Sequence, residues 1–446
     1  MRHREATTTP ILILMCLWIW GCSASLLVER DISAYQDQVQ ELRQRLLRNP
    51  DDTGALQELG AIYLTTGFYT PGRDILERAL AQAPDDSRTR FYLGAAYEAL
   101  SDSMANPDSI DLDRRALQMY EDYANAPERY RKPMRARYLA RSRELARREV
   151  RILQRAEQRL GQQFSSMARD LSATTVGVYA LIYQGANEEY RPLGRGLSEM
   201  ITVDLSKIDR LTVVERVRLQ ALLDEQALAG SELFDQSTAP RRGLLIGAGT
   251  VVGGTFNLTD DNRAEMNVVP YDIVSGRNPS PVNSSDTLER LFQMEKEVVL
   301  LLLEEMGIEL TEEEITQIQR FPTRNLQAFL AFSRGLVQED AQQFDAAAAS
   351  FEQAVALDPG FDLAAESADN AGILTEGGIG LENVLGLDVR SDGDLSGFQN
   401  ITNLRLRNQG ETIDATIVPG PEQREGTIDY LLPPPPPPPP PQNRQP

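Results

Sequence analysis

The stretch Thr174-Thr175-Val176-Gly177-Val178-Tyr179-Ala180-Leu181-Ile182-Tyr183 decides the fold, because here the spacing of apolar residues changes from helical to extended. Upstream, Leu139, Ala146, Leu153 and Leu160 recur every seven residues, with Leu145 and Ile152 widening the stripe, as one face of a long helix requires. The quoted run is β-branched and aromatic and of strand length, so it opens a new domain. Downstream, the pattern predicts a helix over 193–207, a strand over 211–215, and helices over 217–229 and 241–246. Strands follow over 250–258 and 264–274, joined by a turn at Asp260-Asp261-Asn262. A loop over 275–286, with Pro279 and Pro281, leads into an apolar helix over 286–306. These elements make an α/β unit, residues 174–308, with helices packed on a small mixed sheet.

On both sides of this unit the chain reads as helical repeats. Leu56, Leu59, Gly60, Tyr63, Gly72, Leu76, Ala79 and Pro84 fall on the spacing of a tetratricopeptide unit, in which small residues let two antiparallel helices approach. A second unit carries Leu93, Gly94 and Tyr97, then Ala116, Tyr120 and Tyr123, ending at Pro127 and displaced by an insertion around residues 101–110. The long helix predicted over 134–167 caps this array. Its other faces carry Arg135, Arg137, Arg141, Arg143, Arg147, Arg148, Arg151, Arg155 and Arg159. Two readings stay open for these arginines: a surface for an anionic polymer or lipid headgroup, or a face that complements acids of the same protein. After the α/β unit, Gly335, Phe344, Ala347, Phe351, Ala354 and Pro359 fit one further repeat within residues 311–370, capped by a helix over 361–370. Residues 371–446 are glycine-rich, with a candidate hairpin over 403–418 and a polyproline II rod over 433–441.

The amino terminus reads as an export signal. Arg2 and Arg4 precede an apolar run over 11–20 that is too short to span a bilayer comfortably. The run ends in Ile19-Trp20-Gly21-Cys22, which resembles a lipobox, so residues 1–21 are expected to be removed and Cys22 acylated. The alternative is ordinary cleavage near Ala24. Ser23 lacks the aspartate that retains lipoproteins at the inner membrane, which favours the outer membrane and a periplasm-facing chain. Residues 22–168 then form the helical region that precedes the α/β unit. Cleavage also removes His3 and Cys16, the only histidine and the only other cysteine. The mature chain would then have no serine or cysteine triad, no histidine- or thiolate-bound metal and no intrachain disulfide. Carboxylates, hydroxyls, arginines and three lysines (Lys132, Lys207, Lys296) remain. That set can support carboxylate-based glycan hydrolysis, the alternative of a different class. A net charge of −21 argues against a nucleic-acid partner.

Within the α/β unit, several features resemble the CsgG-like lipoproteins of curli secretion. These are the strand over 176–183, the helix carrying Leu197 and Met200, Leu211-Thr212-Val213-Val214-Glu215-Arg216, and Leu222-Leu223-Asp224-Glu225. Ile246-Gly247-Ala248-Gly249-Thr250-Val251-Val252-Gly253-Gly254 continues the match, which spans residues 174–306. The resemblance implies a fold similar to peptidoglycan-synthase activator lipoproteins and the amino-terminal domain of TolB. The paired membrane-height hairpins that a secretion pore needs are not found, so the expectation is an assembly or regulatory module. Gly247, Gly249 and Gly253 close a helix and open a strand, the reverse of a phosphate loop. Asp392, Asp394, Ser396 and Gly397 begin like a calcium loop, but Asn403 stands where the bidentate acid belongs. Glu215 and Arg216 are read as a structural pair or an oligomer contact.

The expectation is therefore an α and α/β multidomain lipoprotein, an adaptor in envelope assembly or secretion, or else a regulator of a peptidoglycan synthase. It is expected to be non-enzymatic, without cofactor or metal, with envelope proteins as partners, a lipid-anchored membrane association and a homo-oligomeric contact.

Overall fold

The computed structural model describes residues 32–104, 108–160, 171–225, 239–276 and 280–375. They contain 14 α-helices and one small mixed sheet, and divide into two compact units on either side of residue 84. Cys22 with its lipobox, the polyproline segment, the 403–418 hairpin and the 392–397 acids lie outside the described residues.

In the first unit, α1 (Gln36–Arg48) precedes a hairpin of α2 (Thr53–Thr65) and α3 (Tyr69–Gln82). Asp52 starts α2 by accepting from the Ala55 amide at 3.0 Å, and Arg45 at the end of α1 grips the same carboxylate at 3.1 Å. A turn at Gly67, with φ of 81°, reverses the chain. A Cβ at Gly60 would stand 2.6 Å from Leu76, so glycine is what lets α2 and α3 touch. Leu56, Leu59, Tyr63, Leu76 and Ala79 are fully buried in this unit, whereas Pro84 stands exposed beyond α3 and stops that helix.

The second unit opens with the hairpin α4 (Ser87–Ser103) and α5 (Asp108–Tyr120), followed by the 33-residue α6 (Glu128–Leu160). Gly94 meets Tyr120 as Gly60 meets Leu76, with a Cβ-to-ring distance of 2.5 Å. Helix α6 begins before the predicted residue 134. The Pro127 carbonyl accepts the amides of Tyr130 and Arg131, which starts the first turn and leaves Pro133 inside the helix.

The sheet comprises β1 (Thr175–Val178), β2 (Ile182–Tyr183), β3 (Thr212–Val213), β4 (Thr250–Leu258), β5 (Arg263–Asp272) and β6 (Val282–Thr287). Its order is β3-β1-β4-β5-β6, with β2 also on β4; β1, β2 and β3 pair parallel, β4, β5 and β6 antiparallel. Two expectations need correction. The single strand over 176–183 is two strands, because Val178 faces Val252 while Ile182 faces Thr255, which leaves one extra residue on the β1–β2 side. The bulged Leu181 amide donates to the Gly194 carbonyl instead of to β4. The loop over 275–286 contains β6, and the apolar helix begins only at α10 (Leu291–Glu305). The polar Val282-Asn283-Ser284-Ser285-Asp286-Thr287 hides its strand character, since as an edge it needs only β5 for partners.

Helices cover both faces of the sheet. Val252 and Val268 point to α7 (Leu193–Leu205), α10 and the carboxy-terminal helices; Val251 and Val269 point to α6, α8 (Arg216–Glu225) and α9 (Ala239–Ile246). After α11 (Glu312–Ile318), the hairpin α12 (Leu326–Asp340) and α13 (Phe344–Leu357) packs into the first of these cores, and α14 (Asp362–Thr375) extends past the predicted 361–370. Here Gly335 meets the Phe351 ring with a Cβ distance of 2.5 Å. Phe351 and Ala354 are fully buried, while Pro359 is exposed past α13.

Candidate interaction site

The charged groups of this unit converge where α6, α7, α8 and the end of α12 meet. Strand β3 is followed by the buried Val214, and the Glu215 carbonyl accepts the Arg218 and Leu219 amides to start α8. This places Arg216, the first residue of α8, against the end of α12. Its guanidinium reaches Glu339 Oε2 and Asp340 Oδ1, each at 2.6 Å. From α7, Arg195 Nε donates to Asp340 Oδ2 at 2.8 Å and Nη2 to Glu199 at 2.9 Å. From α6, Arg143 Nη2 holds Glu339 Oε1 at 2.6 Å. Three arginines and three carboxylates therefore alternate, with each charge compensated. Burial pushes the Asp340 carboxyl upward, but Arg195 and Arg216 outweigh it and hold the group below the usual carboxylate range.

A small pocket lies beside this network, lined by Arg147, Arg216, Gln220, Asp224 and Gln342 among others. Asp224 accepts from Gln220 Nε2 at 2.7 Å and is exposed. Of the motif residues singled out in the sequence, Arg216 and Asp224 meet here. Glu215 does not: its side chain is exposed and Arg216 pairs with Glu339 and Asp340 instead, which corrects the expected Glu215–Arg216 pair. Gly253 pairs with Val269 inside the sheet, beside the bulge. The Glu225 side chain lies outside the described residues. Arg195, Glu339 and Asp340 carry no motif, and Arg143 stands out only as one of the α6 arginines; Arg216, opening one helix, and Asp340, closing another 124 residues later, become neighbours only in the fold.

The arginines of α6 resolve in favour of internal complementarity. Arg141, 6% exposed, reaches Asp102 at 2.9 Å and Asp113 at 3.2 Å, and Arg148 joins both acids at 2.8 and 3.2 Å. Asp113 is fully buried and also accepts from Ser101 at 2.5 Å. Arg135 pairs with Asp369 of α14, Arg137 with Glu98, and Arg151 with Glu144. Arg147, Arg155 and Arg159 have no carboxylate partner among the described residues. Helix α6 is thus a strut that ties α4, α5, α8, α12 and α14 together.

Gly247 follows α9 with φ of 73° and leads into β4, so these glycines turn the chain and do not open a helix. Among the described residues no cluster of three or more metal-ligating side chains occurs, and no helix is long and apolar enough to cross a membrane.

The fold and its charged junction define a class: a helix-covered mixed sheet whose polar groups are spent on holding elements together. Residues 153–266 match the family described as curli production assembly/transport component CsgG, and this segment resembles CsgG-like proteins. The match takes in the end of α6 and stops inside β5, about a quarter of the chain, where the sequence reading placed it at 174–306. No curated protein matches the chain.

Proposed function

We propose that this chain is an outer-membrane lipoprotein adaptor of curli-type assembly or export, in which tetratricopeptide hairpins flank the CsgG-like sheet and the chain acts by binding other proteins. The observation that carries the reading is the junction: Arg195 and Arg216 of the CsgG-like segment are locked to Glu339 and Asp340 of the carboxy-terminal hairpin. The sheet is built into a helical frame, and such frames capture partner peptides on concave faces. Strands β4 and β5 lie inside this frame, with buried residues alternating to helices on either side, which favours a docking role over a pore. Glycan hydrolysis finds little support. The acid pair Asp204 and Glu295 is completely buried and closed to any substrate.

Crosslinking in intact cells, followed by purification of the tagged chain from membranes, tests the reading. It predicts adducts with components of an envelope export machine. Adducts confined to a peptidoglycan synthase would move the assignment to synthase regulation.

A further inference from the structure

Away from the junction, the core between α7 and α10 encloses a second set of ionisable groups. Asp204 and Glu295 are 0% exposed and Lys296 4%. Lys296 Nζ donates to Asp204 Oδ2 at 2.5 Å, while Lys207 Nζ donates to Asp204 Oδ1 at 2.7 Å and to the Gln317 carbonyl of α11 at 3.2 Å. Both oxygens of Asp204 are therefore occupied by ammonium groups. Glu295 is served differently. Lys296 Nζ lies 3.1 Å from Oε2 but out of line, and neither carboxyl oxygen of Glu295 receives a hydrogen bond. The charged groups facing Glu295 are Asp204 from α7 and Lys296 from α10 itself. Strands β5 and β6 bring Ala264, Met266, Val268 and Val282 to the same core, and α12 brings Phe329 and Phe332. Lys207 sits at the rim with a quarter of its side chain in solvent. Lys296 and, from the rim, Lys207 both serve Asp204, so an ionised Glu295 would be an enclosed charge with no hydrogen-bond donor of its own, whereas the neutral acid carries no such cost.

We infer that Glu295 is a neutral carboxylic acid in the folded protein, and that its proton makes the α7–α10 packing an acid-stabilised latch. The carboxy-terminal hairpin is seated on that packing. A Cβ at Gly196 of α7 would stand 2.9 Å from Phe329 of α12, and Phe292 of α10 meets the same ring edge-on with centroids 5.4 Å apart. Burial, with repulsion from Asp204 added, pushes the Glu295 carboxyl up to about 8, and Lys296 offsets only part of this. The folded form then holds a proton that the unfolded chain gives up near the ordinary glutamate value. Stability from this group is complete below that value, declines as pH rises, and is gone once pH passes the folded value.

Urea unfolding of the full chain, wild type against Glu295→Gln, tests the latch, since glutamine has the shape of the neutral acid. Between pH 5 and 8 the wild-type folding constant is expected to fall about tenfold per pH unit relative to the variant, and to level off above that range. A ratio that does not change with pH overturns the inference. Should Glu295→Gln fail to fold, infrared titration of the wild type decides. A buried carboxylic-acid carbonyl band present at neutral pH and lost in alkali supports the latch, and no such band contradicts it.

Discussion

Arg216 shows how much of a residue's role its neighbours in sequence conceal. Beside Glu215 it reads as half of a local pair, yet its guanidinium serves Glu339 and Asp340. Asp340 carries a testable pH signature. Its folded carboxyl is held below the ordinary range, so it adds stability above that range and loses it as pH falls through the depressed value. Asp340→Asn should therefore unfold more readily than wild type at pH 7, with the difference shrinking in acid-titrated urea melts toward pH 3. The glycines at helix crossings were legible in sequence because their spacing repeats. Gly335→Ala should cost about 1–3 kcal/mol in urea unfolding, since its Cβ has no room beside Phe351. Gly372→Ala is the control: nothing lies within 4 Å of its Cβ, and the change should be neutral or stabilising by up to about 1 kcal/mol.

At the scale of elements, α6 is where pattern and structure part most clearly. Its heptad-spaced Leu139, Ala146 and Leu153 announced a helix, but they could not say where nine arginines would point. The answer depends on acids far away in sequence, Asp102 and Asp113 on one side and Glu339 on another. Arg141→Met tests that role. It leaves the fully buried Asp113 with Arg148 as its remaining ion-pair partner, and a loss of about 3–5 kcal/mol is expected by chemical denaturation. A loss under about 1 kcal/mol would mean that the network is replaceable. Strand β6 was illegible for the opposite reason. Edge pairing is a property of β5's free hydrogen bonds and of the chain's path, whereas Asn283-Ser284-Ser285 looks like loop. The β1–β2 bulge is equally non-local, because it is defined by the register against β4.

In the larger unit, beyond residue 84, a CsgG-like segment is tied to the helices before and after it by shared apolar packing and by the ion pairs at the junction. A double-mutant cycle on Arg216→Ala and Asp340→Ala should return an interaction energy of about 0.5–3 kcal/mol. The proposed anchor makes a separate prediction: Cys22→Ser should shift the protein from the membrane fraction to the soluble fraction, or leave its signal uncleaved, while salt-resistant retention with normal processing would refute lipidation. The central claim, that this chain serves curli-type assembly or export, is tested most directly by assaying surface export of the fibre subunit in cells depleted of it. The account predicts that export falls and that wild-type chain restores it. Undiminished export in fully depleted cells would contradict the account.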